Sequence, residues 1–95
     1  MNEMVVDLHI EKIARGYKAF TAGDTIEYQK RYFTDILNRY KKQKGVTIDF
    51  IHGSGKGILR SELISLLDRN YPGIEYSDAP FAIYGYQGAL RITIR

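Results

Sequence analysis

The sequence predicts a two-layer α/β fold with a mixed sheet, and three observations lead there. Two apolar, β-branched runs, Met4 to His9 and Val46 to His52, are separated by a long stretch with helical periodicity. A strand–helix–strand connection of that length is normally a right-handed parallel crossover. After a second helical stretch the remaining apolar runs are joined by short turns, which favours antiparallel strands at the end of the chain.

Met4-Val5-Val6-Asp7-Leu8-His9 reads as the first strand. Ile10 to Gly23 has no clean period and reads as an ordered connection with one helical turn. Asp24 followed by Glu27 has the spacing of a helix N-terminal capping box. Ile26, Phe33, Ile36, Leu37 and Tyr40 then recur at helical spacing, and Gly45 stops the helix. Val46 to His52 is the second strand, with a glycine loop directly behind it. Leu59, Leu63, Leu66 and Leu67 mark a second helix, closed by Asn70-Tyr71-Pro72-Gly73. Strands are then expected at Ile74–Ser77, Phe81–Tyr84 and Ala89–Ile94. In the last of these, Leu90, Ile92 and Ile94 alternate with Arg91, Thr93 and Arg95.

At 95 residues the chain is one domain with a single modest core. It has no cysteine, which excludes disulfides, thiolate metal sites and cysteine nucleophiles. No apolar run approaches the length of a membrane span and no signal-peptide pattern opens the chain, so the expected location is the cytoplasm and no membrane partner is expected. The net charge of +3 is small, but its placement suggests a polyanionic partner. Arg39, Lys41, Lys42 and Lys44 cluster at one helix end, where cations also simply complement the helix dipole. Tyrosines Tyr28, Tyr32, Tyr40, Tyr84 and Tyr86 offer stacking surfaces for bases, or more plainly core edges with a wet hydroxyl.

The candidate chemistry lies in two places. His9 and His52, the chain's two histidines, each end a predicted strand. Were the strands parallel neighbours, about 4.8 Å apart, both imidazoles would lie at one carboxyl edge, where open α/β sheets gather ligands. Asp7 and His9, two residues apart, project to one face. Next, Gly53, Gly55 and Gly57 alternate with Ser54 and Lys56 between a strand and a helix. Glycines allow positive φ, a helix N-terminus attracts anions, Lys56 adds a mobile cation and Arg60 a forked donor. Gly53, Ser54, Gly55, Lys56, Gly57 and Arg60 are therefore the candidate phosphate-binding residues, and Asp7, His9 and His52 the candidate catalytic ones. The loop is neither a P-loop nor a dinucleotide fingerprint, since its glycine spacing fits neither, and a tight turn that caps the helix is the plain alternative. Histidines with ordinary pKa values suit proton transfer, and loop amides with Lys56 and Arg60 suit a developing oxyanion. No cofactor is expected. A divalent metal on Asp7, His9 and His52 would lack a second carboxylate at ligand spacing.

Val6-Asp7-Leu8-His9, Ile51-His52-Gly53-Ser54-Gly55 with Leu59-Arg60, and Gly88-Ala89 together resemble the motifs of the Smr (small MutS-related) domain, in the same order and over nearly the full length. Asp7-Leu8-His9-Ile10 and Tyr84-Gly85-Tyr86 look most like a Bacteroidetes-type subgroup in which such a domain ends a longer protein. The resemblance implies a βαβαββ two-layer sandwich with a mixed four-stranded sheet, similar to the C-terminal domain of a bacterial translation initiation factor. It also implies that residues 1–95 are one Smr-like domain taken from a larger chain. It further implies binding of DNA or RNA with endonuclease activity, with Asp7 and His9 in the first motif's place and His52, Gly53 and Gly55 in the second's. Ile10 stands where the family usually has glycine, and Leu90 where it has a small or hydroxylated residue, both near the expected substrate path. The expectations to be compared are a phosphodiester-cleaving nucleic-acid binder, a non-catalytic module that positions a larger protein on DNA, RNA or a ribosome, and a binder of a small phosphorylated ligand.

Overall fold

The computed structural model describes residues 3–53, 56–85 and 87–95. The chain runs β1 (Glu3–Asp7), α1 (Ile10–Ile13), a 3-10 turn (Tyr17–Ala19), α2 (Ala22–Tyr40), β2 (Thr47–Ile51), α3 (Ile58–Asn70), β3 (Glu75–Asp78), α4 (Phe81–Tyr84) and β4 (Ala89–Thr93). The strands form one four-stranded mixed sheet in the order β1-β2-β4-β3. β1 is parallel to β2, from Glu3 opposite Thr47 to Asp7 opposite Ile51, and β4 runs antiparallel to both β2 and β3.

Burial explains the layering. Alternate residues of the sheet, Ile48 and Phe50 on β2 and Leu90 and Ile92 on β4, are fully buried together with Phe33 and Leu37 of α2 and Leu63 and Leu67 of α3. Successive strand side chains point to opposite faces, so this set defines the helix-facing side of the sheet. The Phe33 and Phe50 rings meet edge to face at 4.5 Å between centroids, joining α2 to β2.

The long helix starts earlier than Asp24. Thr21 is the N-cap: its hydroxyl accepts from the Asp24 amide at 3.0 Å, and the Asp24 carboxylate accepts from the Thr21 amide at 3.1 Å. The sequence holds two overlapping capping spacings, Thr21/Asp24 and Asp24/Glu27. The first prevails because Thr21 has the extended backbone an N-cap needs while Ala22 and Gly23 are already helical.

The expected strand at Phe81–Tyr84 is instead a helical turn. Pro80 opens it, and its carbonyl accepts from the Ile83 and Tyr84 amides, both at 3.1 Å. The apolar composition that suggested a strand serves another end: Phe81 and Ile83 are exposed, while Tyr84 reaches back to the sheet.

The carboxyl ends of β1 and β2, the end of β3 and the start of β4 all fall at one edge of the sheet, as the registers Asp7–Ile51, Ile51–Ala89 and Asp78–Leu90 require. The Arg39–Lys44 cluster precedes β2 and so lies at the opposite edge. No helix among the described residues is long and apolar enough to cross a membrane.

Candidate functional site

Leu8 continues the ladder beyond β1, donating its amide to the Ile51 carbonyl at 2.8 Å, and its own carbonyl accepts from Gln29 Nε2 at 2.9 Å. Gln29 is a buried amide on the core side of α2, so it pins the backbone immediately before His9. Periodicity alone did not single it out, since a glutamine among charged helix residues reads as surface.

The chain then turns. Asp7 Oδ1 accepts from the His9 amide at 2.9 Å and from His9 Nδ1 at 2.7 Å. Direct contact between Asp7 and His9 is thus made, where strand parity predicted only a shared face. Because the carboxylate can only accept, Nδ1 carries the proton and Nε2 of the neutral ring is left as the acceptor. Partial burial pushes the Asp7 carboxyl up, but the hydrogen bonds from the His9 amide and ring, with the charge of Lys12, hold it below the usual range. The pair is half open to solvent, with 44 % of the His9 side chain exposed.

β2 ends at Ile51, and the next two amides, of His52 and Gly53, both donate to the Gly88 carbonyl, at 3.1 and 3.0 Å. Gly53 takes φ +83, and a Cβ built there would stand 3.1 Å from His9 Nε2. Its carbonyl accepts from His52 Nδ1 at 2.8 Å. Gly53 therefore holds the His52 ring through its carbonyl and leaves open the space beside His9 Nε2 that a Cβ would crowd. Gly88 is equally constrained, since a Cβ there would run into the Tyr84 carbonyl.

The two histidines share the carboxyl edge but differ in state. His52 is only 8 % exposed, and its Nε2 is buried with no hydrogen-bond partner among the described residues. Burial chiefly holds its pKa below the usual histidine value; the hydrogen bond to Gly53 opposes this, and the charge of Arg60 adds to it. It is a neutral ring held by its own loop, whereas His9 is the open one.

Of the candidate phosphate residues, Ser54 and Gly55 lie outside the described residues. Gly57 is the N-cap of α3 at φ +78 and, having no side chain, adds no cap of its own to the first amides of the helix. Lys56 is exposed. His52, Gly53, Lys56, Gly57 and Arg60 line a depression of about 290 Å³. Arg60 departs from expectation: its guanidinium is forked onto Asp78, Nε to Oδ1 at 2.9 Å and a terminal nitrogen to Oδ2 at 3.0 Å. The acid that claims it is eighteen positions away and is brought there only by the end of β3. Leu90, at the start of β4 by the same edge, is fully buried on the helix-facing side.

A further polar cluster escaped the sequence. Asp49, on the sheet face away from α2 and α3, is 5 % exposed and receives Arg91 Nε at 2.8 Å, a second Arg91 nitrogen at 2.9 Å and the Tyr84 hydroxyl at 2.9 Å. Arg91 is its direct cross-strand neighbour. The Arg91 hydrogen bonds hold the Asp49 carboxyl below its usual range against the upward push of burial. The Tyr84 bond ties down the connection that delivers Gly88 to the site. Tyr28, Tyr71 and Tyr76 likewise spend their hydroxyls on Ile13, Asn38 and Asp68.

Among the described residues no group of three or more histidines or carboxylates is placed to hold a metal ion. Comparison with protein families, with curated proteins and with solved structures finds no match to this chain.

Proposed function

We propose that this chain is a nucleic-acid-binding domain that cleaves a phosphodiester bond with His9 as the general base. The observation that carries the reading is the Asp7–His9 pair: an ionised carboxylate fixes the ring with Nε2 as its free acceptor, at an open sheet edge beside a glycine loop. A carboxylate behind an imidazole sets its tautomer and stabilises the imidazolium formed when it takes a proton.

In the proposed step His9 Nε2 takes a proton from water as the water oxygen bonds to phosphorus. The P–O bond to the leaving oxygen breaks, and that oxygen takes a proton from solvent. Lys56 and the first amides of α3 hold the phosphate charge. His52 has a supporting part: buried, it holds the Gly53 carbonyl through its Nδ1. The test is cleavage of labelled single- and double-stranded DNA and RNA by the native chain and by His9→Ala. Loss of products with His9→Ala and retention of strand binding support the reading. Equal cleavage by both proteins removes it.

A second reading, a module that binds nucleic acid without cutting it, is favoured by the Arg60–Asp78 fork and the burial of His52, which commit two residues expected to do chemistry to other partners. Salt-sensitive binding with no products from any strand is its signature.

A further inference from the structure

We propose that the site takes an unpaired nucleotide, whose base lies in an apolar trough between the first turn of α2 and Ile58. This inference rests on the nucleic-acid reading and deepens it, naming single-stranded rather than duplex substrate.

The trough has a volume of about 690 Å³, within the range of about 300–1,000 Å³ common for small-molecule sites. Ala22, Gly23, Ile26 and Ile58 line it, together with Asp24 and Glu27. Ile58, the first residue of α3, is 58 % exposed. It also lines the depression formed by His52, Gly53 and Lys56, so the two hollows adjoin at one side chain.

Their chemistry differs in a way that matches one nucleotide. The loop side carries Lys56 and the start of α3, whose N-cap Gly57 supplies no side-chain cap, and these suit phosphate. The trough side is apolar, and its charged groups are both acidic, so it repels phosphate and suits the amine-bearing edge of a base. At that end of α2 the Asp24 amide is taken by Thr21 Oγ1 and the Thr25 amide by the Thr21 carbonyl. In a duplex the base faces are stacked inside the helix and cannot enter; an unpaired base can.

The experiment measures binding of the full chain to a single strand, to an abasic deoxyribose-phosphate strand of the same length, and to the duplex. The single strand is expected to bind about tenfold more tightly than the other two, the size of burying part of one base face against aliphatic side chains. Ile58→Ser removes the apolar wall from an exposed position. Gly23→Leu adds a side chain to the lining, at a helical residue where a Cβ meets only Thr21 Oγ1 at 3.8 Å. Each is expected to lower single-strand affinity to the abasic level with native circular dichroism, and Gly23→Leu, which lies outside the loop depression, is expected to leave abasic binding unchanged. Equal, salt-dependent binding of normal and abasic strands overturns the trough and leaves the phosphate reading standing. No binding of any strand overturns both. A dimer in sedimentation that Ile58→Ser abolishes, with strand affinity unmoved by either variant, overturns it in favour of a second copy as the occupant.

Discussion

Gly53 lies so close to His9 that a Cβ on it would stand 3.1 Å from the ring Nε2, the atom that the Asp7 hydrogen bond leaves as acceptor. Gly53→Ala therefore does two things. It forces an L-residue into φ +83, at a cost of about 1–2 kcal/mol, and it presses on the one open imidazole nitrogen. The expected outcome is a lowered unfolding midpoint in urea and loss of cleavage larger than that drop in stability explains, measured under conditions where the variant is folded.

Asp7→Asn keeps the shape of the side chain and removes its charge. An amide nitrogen offered to Nδ1 favours the wrong tautomer, and no anion remains to stabilise the imidazolium. Cleavage is expected to fall by about 10²–10⁴-fold, the usual contribution of a positioned acid–base group, with strand affinity nearly unchanged. Single-turnover rates alongside binding isotherms separate the two.

Stability should weaken in mild acid through His52. Its folded pKa lies below the usual value of 6.5, so as pH falls through 6.5 the unfolded chain takes up a proton that the folded chain resists. The stability associated with the neutral ring is complete above that value and is lost progressively below it. Urea midpoints between about pH 7.5 and 5 should decline in the native chain and decline less in His52→Gln, even though the variant starts lower because the Gly53 carbonyl loses its partner.

The Asp49 cluster predicts an ordered pair of losses. Arg91→Ala leaves a carboxylate in a buried site with one hydroxyl, and the expected cost is about 3 kcal/mol. Tyr84→Phe removes one hydrogen bond to the same carboxylate and should cost about 1 kcal/mol. Thermal and urea unfolding of both variants checks the order. A smaller loss for Arg91→Ala than for Tyr84→Phe contradicts the assignment of Arg91 as the main partner.

Asp78 competes with phosphate for Arg60. Asp78→Ala should free the fork and tighten binding of a single strand, with the logarithmic salt dependence steeper by about 0.7, the increment for one more neutralised phosphate. Arg60→Ala on that background should remove the gain. Affinities measured across a salt series give both quantities.

Much of this architecture was legible in one dimension. The leucine spacing of α3, the alternation in β4 and the strand–helix–strand order each follow from local periodicity, because one face of every element must meet the core. The parallel β1–β2 pair, and so the common edge for His9 and His52, followed from chirality and connection length. Capping and α4 were harder to read. Thr21 and Asp24 offer overlapping caps that differ only in where the chain is extended, and the apolar run Phe81–Tyr84 carries no local sign that its tyrosine will be anchored to Asp49.

By itself the sequence determined the layer order and the edge where the histidines gather, and it marked Gly53, Gly55 and Gly57 as places where positive φ is permitted. Those properties depend on neighbours along the chain and on the backbone angles each residue tolerates. Only the tertiary structure decided which histidine is open and which is buried, that Gln29 holds the strand end before His9, that Arg60 is engaged by Asp78, and that Asp49 has partners on β4 and α4. Each of these is a pairing between residues distant in sequence, set by strand register and helix packing. A side chain's charge state and availability depend on what folding places against it, and no local pattern encodes that.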